Sequence, residues 1–311
     1  IHPARTPPAF ATRSFRRSYR PNGNGRGDTR RDGPLVVLWT DTFNNHFTPG
    51  PLHAAAEVLE AAGCRVELPR ADLCCGRPLY DYGMLGQAKR TLRRTVAGLQ
   101  EQLDRGAYVV GVEPSCLATF RDELPNLFPK DAAARRLVER TMLFGEFLDK
   151  VLHYDPPKIQ GRAILRAHCN HKSVFGVAHD EAVLRRTGLD FEWLDDNCCG
   201  MAGAFGYEVR KYGVSLRIAE DVTLPAIRMA PPETRIVCDG FSCREQIRQL
   251  AGREVVTLPE LIREGLRKSG RAGPQPPAER RPHKGLAPAA MAVFAGLALG
   301  AAAGWQAGLR R

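Results

Sequence analysis

From residue 34 onward, short apolar runs alternate with segments of helical period. LVVLW (35–39) is a run of the kind buried on both faces of a parallel sheet, and PGPLHAAAEVLEAAG (49–63) repeats apolar residues at helical spacing until Gly63 stops it. CRVELP (64–69) reads as a second strand, GMLGQAKRTLRRTVAGLQEQL (83–103) as a long amphipathic helix and YVVGV (108–112) as a third strand. DAAARRLVERTMLFGEFLDKVL (131–152) reads as one helix bridging to the second half of the chain. The order then returns. RAILRAH (162–168), FEWL (191–194) and RIVCD (235–239) read as strands, HDEAVLRRTG (179–188) and YEVRKYGVSLRIAEDVTLPAIRMA (207–230) as helices, and EVVTLPELIREGL (254–266) closes the unit.

Setting LVVLWTDT on AILRAHCN places Thr42 opposite Cys169 at an offset of 127, and Cys116 falls opposite Cys243 at the same offset. Two Cys-Cys-Gly triplets, Cys74–Gly76 and Cys198–Gly200, align at 124, a slip of one small loop. The expected fold is α/β: two tandem pseudo-symmetric lobes, 34–130 and 161–268, with parallel strands and crossover helices, joined by a bridge at 131–160.

Outside the lobes the pattern changes. Residues 1–33 are rich in Arg, Gly and Pro without apolar period and read as a basic linker, and 269–285 reads as a second linker. The run 286–309 has 24 uncharged residues with Gly296, Gly300, Gly304 and Gly308 at every fourth position, so a C-terminal apolar helix able to span a bilayer is expected there.

The net charge of +11 would by itself raise nucleic-acid binding. Its placement argues against it. Eight arginines against one aspartate fall in 1–31, and five arginines and one lysine against one glutamate in 270–311, which leaves the lobes close to neutral. No secretory signal precedes the nine cysteines, so a reducing, cytoplasmic setting is expected, at the inner face of a membrane if the C-terminal run anchors there. The abrupt basic start without Met reads as the downstream portion of something longer.

The cysteines carry the chemistry. Cys169, Cys198, Cys199 and Cys243 each follow the C-terminal end of a strand, where open α/β sheets place ligands. Adjacent thiolates fit poorly on one tetrahedral ion but can bind different irons of a cluster, for which four thiolates are the usual complement. Zinc held by three thiolates and His171, in a structural or interaction module without redox role, stands beside that reading. In the first lobe Cys74, Cys75 and Cys116 remain, with Thr42 opposite Cys169 and Glu113 opposite Gly240, so metal binding there is expected to be weaker. Cys64 and Cys238 read as small buried residues, Tyr80, Tyr82, Phe205 and Tyr207 as core aromatics, and His168 and Lys172 as flanking groups.

The stretches DTFNN, CCGRPLYDYGML, EPSCLATFRDELPNLFP, HCNHKSV, CCGMAGAFGYE and DGFSCREQI resemble a known family. It is the cysteine-rich CCG domain of the B-type component of heterodisulfide reductase and of the iron–sulfur subunits of glycolate, lactate and anaerobic glycerol-3-phosphate dehydrogenases. The likeness is greater to bacterial fusions in which a FAD-linked oxidase domain and a ferredoxin domain precede two such repeats. The resemblance implies a [4Fe–4S] cluster on Cys169, Cys198, Cys199 and Cys243, with Gly240 standing where some relatives have another cysteine. It implies an oxidoreductase part that is inactive alone, FAD on an upstream domain or partner subunit, a ferredoxin-like partner, a 2-hydroxy acid as fuel and a membrane quinone or other carrier as acceptor.

Overall fold

The computed structural model describes residues 1–20 and 33–270. The apolar run 286–309 lies outside them, and among the described residues no helix is long and apolar enough to cross a membrane. Strands β1 (Leu35–Leu38), β2 (Arg65–Glu67), β3 (Tyr108–Gly111) and β4 (Thr141–Leu143) form one parallel sheet in the order β2-β1-β3-β4. Strands β5 (Arg162–Leu165), β6 (Asp190–Trp193), β7 (Arg235–Val237) and β8 (Val255–Val256) form a second, in the order β6-β5-β7-β8. The expected duplication is present as two four-stranded sheets of identical order.

The bridge expected as one helix over 131–152 is three elements. Asp131 caps a helix at Ala132–Arg140, Thr141–Leu143 joins the sheet as β4, and a second helix runs Phe144–Lys150. The apolar triplet Thr141-Met142-Leu143 finds β3 as a partner, with Val110 opposite Met142, and that pairing overrides helical period. The counterpart in the second lobe is β8 followed by the helix Leu258–Lys268, started by a Thr257–Glu260 capping box. The long segment 207–230 is likewise broken, into Tyr212–Asp221 and Thr223–Met229.

Period-two burial sorts β1 between two cores. Val36 and Leu38 face the core shared with Leu165 and Val237, whereas Leu35, Val37 and Trp39 face the helix Leu85–Asp104 on the outside. The lobes meet through swapped equivalents. The helix Gly50–Ala61 packs on Leu258–Lys268, and Phe144–Lys150 packs on Ala178–Thr187. Arg267 closes the first contact by an ion pair with Glu57 at 2.9 Å.

Residues 1–20, expected as linker, are packed. His2 N–H donates to the Tyr207 carbonyl, Ala11 N–H to that of His46, Phe15 is fully buried in the inter-lobe core, and Tyr19 Oη donates to Glu60 at 2.6 Å. Phe15 and Tyr19, spaced among arginines and prolines, anchor this strap, because each buries a large apolar area.

Candidate metal centre

In the second lobe three strand ends deliver the thiols to one edge of the sheet. Cys169 follows β5, Cys198 and Cys199 follow β6, and Cys243 lies in the first turn of the helix Phe241–Ala251 after β7. Gly200 makes the turn possible, since its φ is +80° and a Cβ would lie 2.3 Å from the Ser215 carbonyl oxygen. The sulfurs lie in series. Cys198 neighbours Cys169 and Cys199, and Cys243 neighbours Cys199 and Cys238. The neighbours of Cys198, then the Gly200 N–H at 3.3 Å and the charge of Arg166, hold its thiol well below its ordinary value.

The Arg166 guanidinium is fully buried at the heart of this cage. It donates from Nη1 to Cys243 Sγ at 2.6 Å, from Nε to Asp196 Oδ2 at 2.7 Å and from Nη2 to the Asn197 carbonyl at 3.0 Å. Asp196 also accepts from Thr223 Oγ1 at 2.6 Å and from Lys172 Nζ at 2.8 Å. Burial alone would lower the pKa of Arg166; the surrounding Cys243, Cys238 and Cys199 outweigh it and raise it. A buried cation touching sulfur marks a donor set that is expected to be anionic.

On one tetrahedral zinc at about 2.3 Å per bond, every sulfur pair would be about 3.8 Å apart. Among the described residues, the trio of possible ligands whose donor atoms all lie within 4.8 Å of one another is His171, Asp180 and Asp239, and it contains no thiol. Four thiols delivered to one sheet edge are the usual complement of an iron–sulfur cluster. His171 is directed toward a carboxylate. Its Nε2 lies 3.2 Å from Asp180 Oδ2, because the wide helical turn His171–Phe175 directs it toward the helix Ala178–Thr187.

Burial pushes Asp180 up to about 7, well above its unfolded value. A carboxyl raised on folding contributes stability that is present below about pH 4 and is lost as pH rises toward 7. Asp180→Asn is therefore expected to gain stability over wild type in denaturant melts at pH 8 and to lose that gain at pH 4. A pH-independent difference would contradict this.

The first lobe holds a different set. Cys75 Sγ donates to Cys116 Sγ at 3.1 Å, both buried, and exposed Cys74 accepts from the Gly76 N–H at 3.4 Å. Where Arg166 sits in the second lobe, the offset of 127 places Trp39, fully buried against Phe120; where Asp196 sits, the offset of 124 places Asp72, exposed at the surface. The first lobe thus lacks the buried cation as well as the thiol opposite Cys169, where Thr42 stands. Thr42 begins a short helix capped by Asp41, which burial and then Glu113 push up to about 7.

Glu113 has a separate task. Its carboxylate accepts from Ser115 Oγ at 2.6 Å, starting the helix Pro114–Ala118 that carries Cys116, and from Phe241 N at 2.8 Å, starting the helix that carries Cys243. One carboxylate therefore caps a cysteine helix in each lobe. Glu113→Ala strands the Phe241 N–H in a buried interface, where Phe43 stacks on Phe241, and is expected to cost about 2 kcal/mol. Glu113→Gln keeps an acceptor and should cost less. Equal urea midpoints for wild type and Glu113→Ala would contradict this role.

Of the remaining residues, Cys64 is buried in the inter-lobe core as a small apolar residue. Cys238 is also buried but lies against Cys243, at the edge of the cage; its place in the run RIVCD gives no sign of that. The His168 ring fills the space beside Gly240, at 2.6 Å from a Cβ built there, so a side chain at 240 would displace it. Tyr207 is buried near Cys199, whereas Tyr82 is 62 % exposed and belongs to no core.

Residues 41–121, the first lobe, match the family model described as a cysteine-rich domain, CCG. The chain is 32 % identical over 184 residues to lactate utilization protein A of Bacillus velezensis, a match covering 56 % of this chain and 75 % of that one. Against the protein of the same name from Bacillus subtilis the identity is 31 % with the same coverage. For that from Anoxybacillus flavithermus it is 26 % over 223 residues, 68 % of this chain and 82 % of the relative.

Proposed function

Because the chain belongs to the family of lactate utilization protein A, we propose that it is an iron–sulfur module of a 2-hydroxy-acid oxidising system, with lactate as the fuel its relatives' name indicates. In this reading Cys169, Cys198, Cys199 and Cys243 would hold a [4Fe–4S] cluster, placed between a flavin on another domain or subunit and a quinone or another carrier. The observation that carries it is the cage itself: four thiols brought to one sheet edge, with the buried Arg166 donating to one of them.

When bound, the cluster supplies a one-electron carrier. The chain's own groups do the rest. Arg166, held by Asp196, sets positive charge against the thiolates and thereby favours the electron-rich form. Cys199, Cys243, Met201 and Tyr207 are buried together, which excludes water from the inner side. Cys169 is exposed, so electrons have a short route between the cage and a docked partner on that side.

The test is a reconstitution. Mixed anaerobically with lactate alone, the chain should show no change in visible absorbance. Addition of the reduced flavoprotein partner should bleach the thiolate-to-iron bands. Oxidation of lactate by the flavin-free chain with an artificial acceptor would contradict the reading, as would a chain whose absorbance the reduced partner leaves unchanged.

A further inference from the structure

The strap at residues 1–20 carries a buried charge that the lobes do not balance. Arg5 is 4 % exposed. Its Nε donates to the Gly206 carbonyl at 2.9 Å and its Nη2 to Ser215 Oγ at 3.2 Å, while Nη1, equally buried, has no hydrogen-bond partner. The guanidinium carbon lies 5.0 Å from the Tyr212 ring centroid and 6.0 Å from that of Tyr207. His2 stacks on Tyr212 at 3.8 Å and fixes the strap from its other side. No carboxylate forms an ion pair with Arg5 among the described residues.

A buried cation without a counter-charge is costly, so a folded chain keeps one where an anion compensates it. The surroundings name that anion. Ser215 and Gly206 belong to the segment that follows the Cys198–Gly200 triplet, and Ser215 presses its carbonyl against Gly200. Gln246 donates to the Cys199 carbonyl at 2.8 Å and to Ser215 Oγ at 3.2 Å, so Arg5, Ser215, Gln246 and Cys199 form one connected network. Burial lowers the pKa of Arg5, and Tyr212, then Tyr207, then Cys199 act against that. The other cations nearby are committed: Arg166 and Lys172 share Asp196, and Arg244 donates to Asn44 across the lobes.

We propose that Arg5 is the second buried cation of the lobe-two centre: it is held against the turn after the cysteine pair, and its counter-charge is that of the cluster and its thiolates. The inference rests on the reading of the second lobe as a cluster site. Its consequence is electrostatic. A fixed positive charge stabilises the more negative, reduced cluster and so raises the reduction potential. The strap is then part of the redox centre although it lies outside both lobes in sequence.

The test uses the full chain, purified anaerobically, with iron content and an EPR-monitored redox titration as readouts. Arg5→Met keeps length and apolar contact with the two tyrosines but removes the charge; Arg5→Lys keeps the charge. At a fixed poise, Arg5→Met is expected to lower the reduced-to-oxidised ratio about tenfold, a downward shift of about 59 mV for one electron. Arg5→Lys is expected to recover most of it. If Arg5→Met holds too little iron to titrate, Arg5→Lys alone decides, and a near wild-type potential with full iron supports the proposal. An unshifted Arg5→Met, or an Arg5→Lys that behaves like Arg5→Met in potential or iron content, overturns it. A wild-type chain without iron would instead remove the cluster reading itself, so the two failures are told apart.

Discussion

Cys198→Ser and Cys243→Ser are each expected to abolish most of the bound iron, whereas Cys74→Ser leaves most of it in place. The two lobes share a fold but not a donor set. In the second lobe Cys198 lies between Cys169 and Cys199 in the series of sulfurs, and Cys243 joins that series to Arg166. Removing either breaks the cage at a point that the remaining thiols cannot cover. In the first lobe Thr42 and Glu113 occupy the positions opposite Cys169 and Gly240, Trp39 replaces the buried cation, and Glu113 is engaged in capping. Iron measured per chain after anaerobic purification gives the answer directly. Equal losses from Cys74→Ser and Cys198→Ser would mean that both lobes hold metal.

Arg166→Leu is expected to destabilise the chain by about 4 kcal/mol, the range found when one partner of a buried ion pair is removed. Asp196 would be left with Lys172 and Thr223 but without its buried counter-charge, and Cys243 would lose a donor at 2.6 Å. Urea unfolding of the metal-free chain isolates this effect from iron binding. The double change Arg166→Leu with Asp196→Leu should recover much of the loss, because replacing both members of a buried pair by apolar groups is often near neutral. It should still bind iron poorly, since the cation facing the thiols is gone. A metal-free Arg166→Leu within about 1 kcal/mol of wild type would show that the pair is not the keystone of the cage.

What could be read from the sequence, and what could not, divides along physical lines. Strand–helix alternation and the matching offsets exposed the duplication, because buried parallel strands are near-continuous apolar runs and cysteines after them stand out. The break at Thr141–Leu143 was hidden, since three residues carry no period of their own and β4 exists only by pairing with β3. The packing of residues 1–20 was hidden by composition: Arg and Pro dominate, while Phe15 and Tyr19 anchor the segment in a core built from elsewhere. Arg166 gave no signal inside RAILRAH, where it is one of two arginines at the strand's ends. Only the convergence of Asp196 and Cys243, 30 and 77 positions away, gives it a role. The roles of Glu113 and Arg5 likewise arise from contacts 128 and more than 200 residues distant.

The central claim is that the second lobe binds a multi-iron cluster through four thiolates, and metal and acid-labile sulfide analysis of the anaerobically purified chain tests it most directly. The account predicts a brown protein with about four iron and four sulfide per chain, no stoichiometric zinc, and loss of both iron and sulfide in Cys198→Ser. A colourless protein with one zinc and no sulfide, or iron that survives Cys198→Ser undiminished, would contradict it.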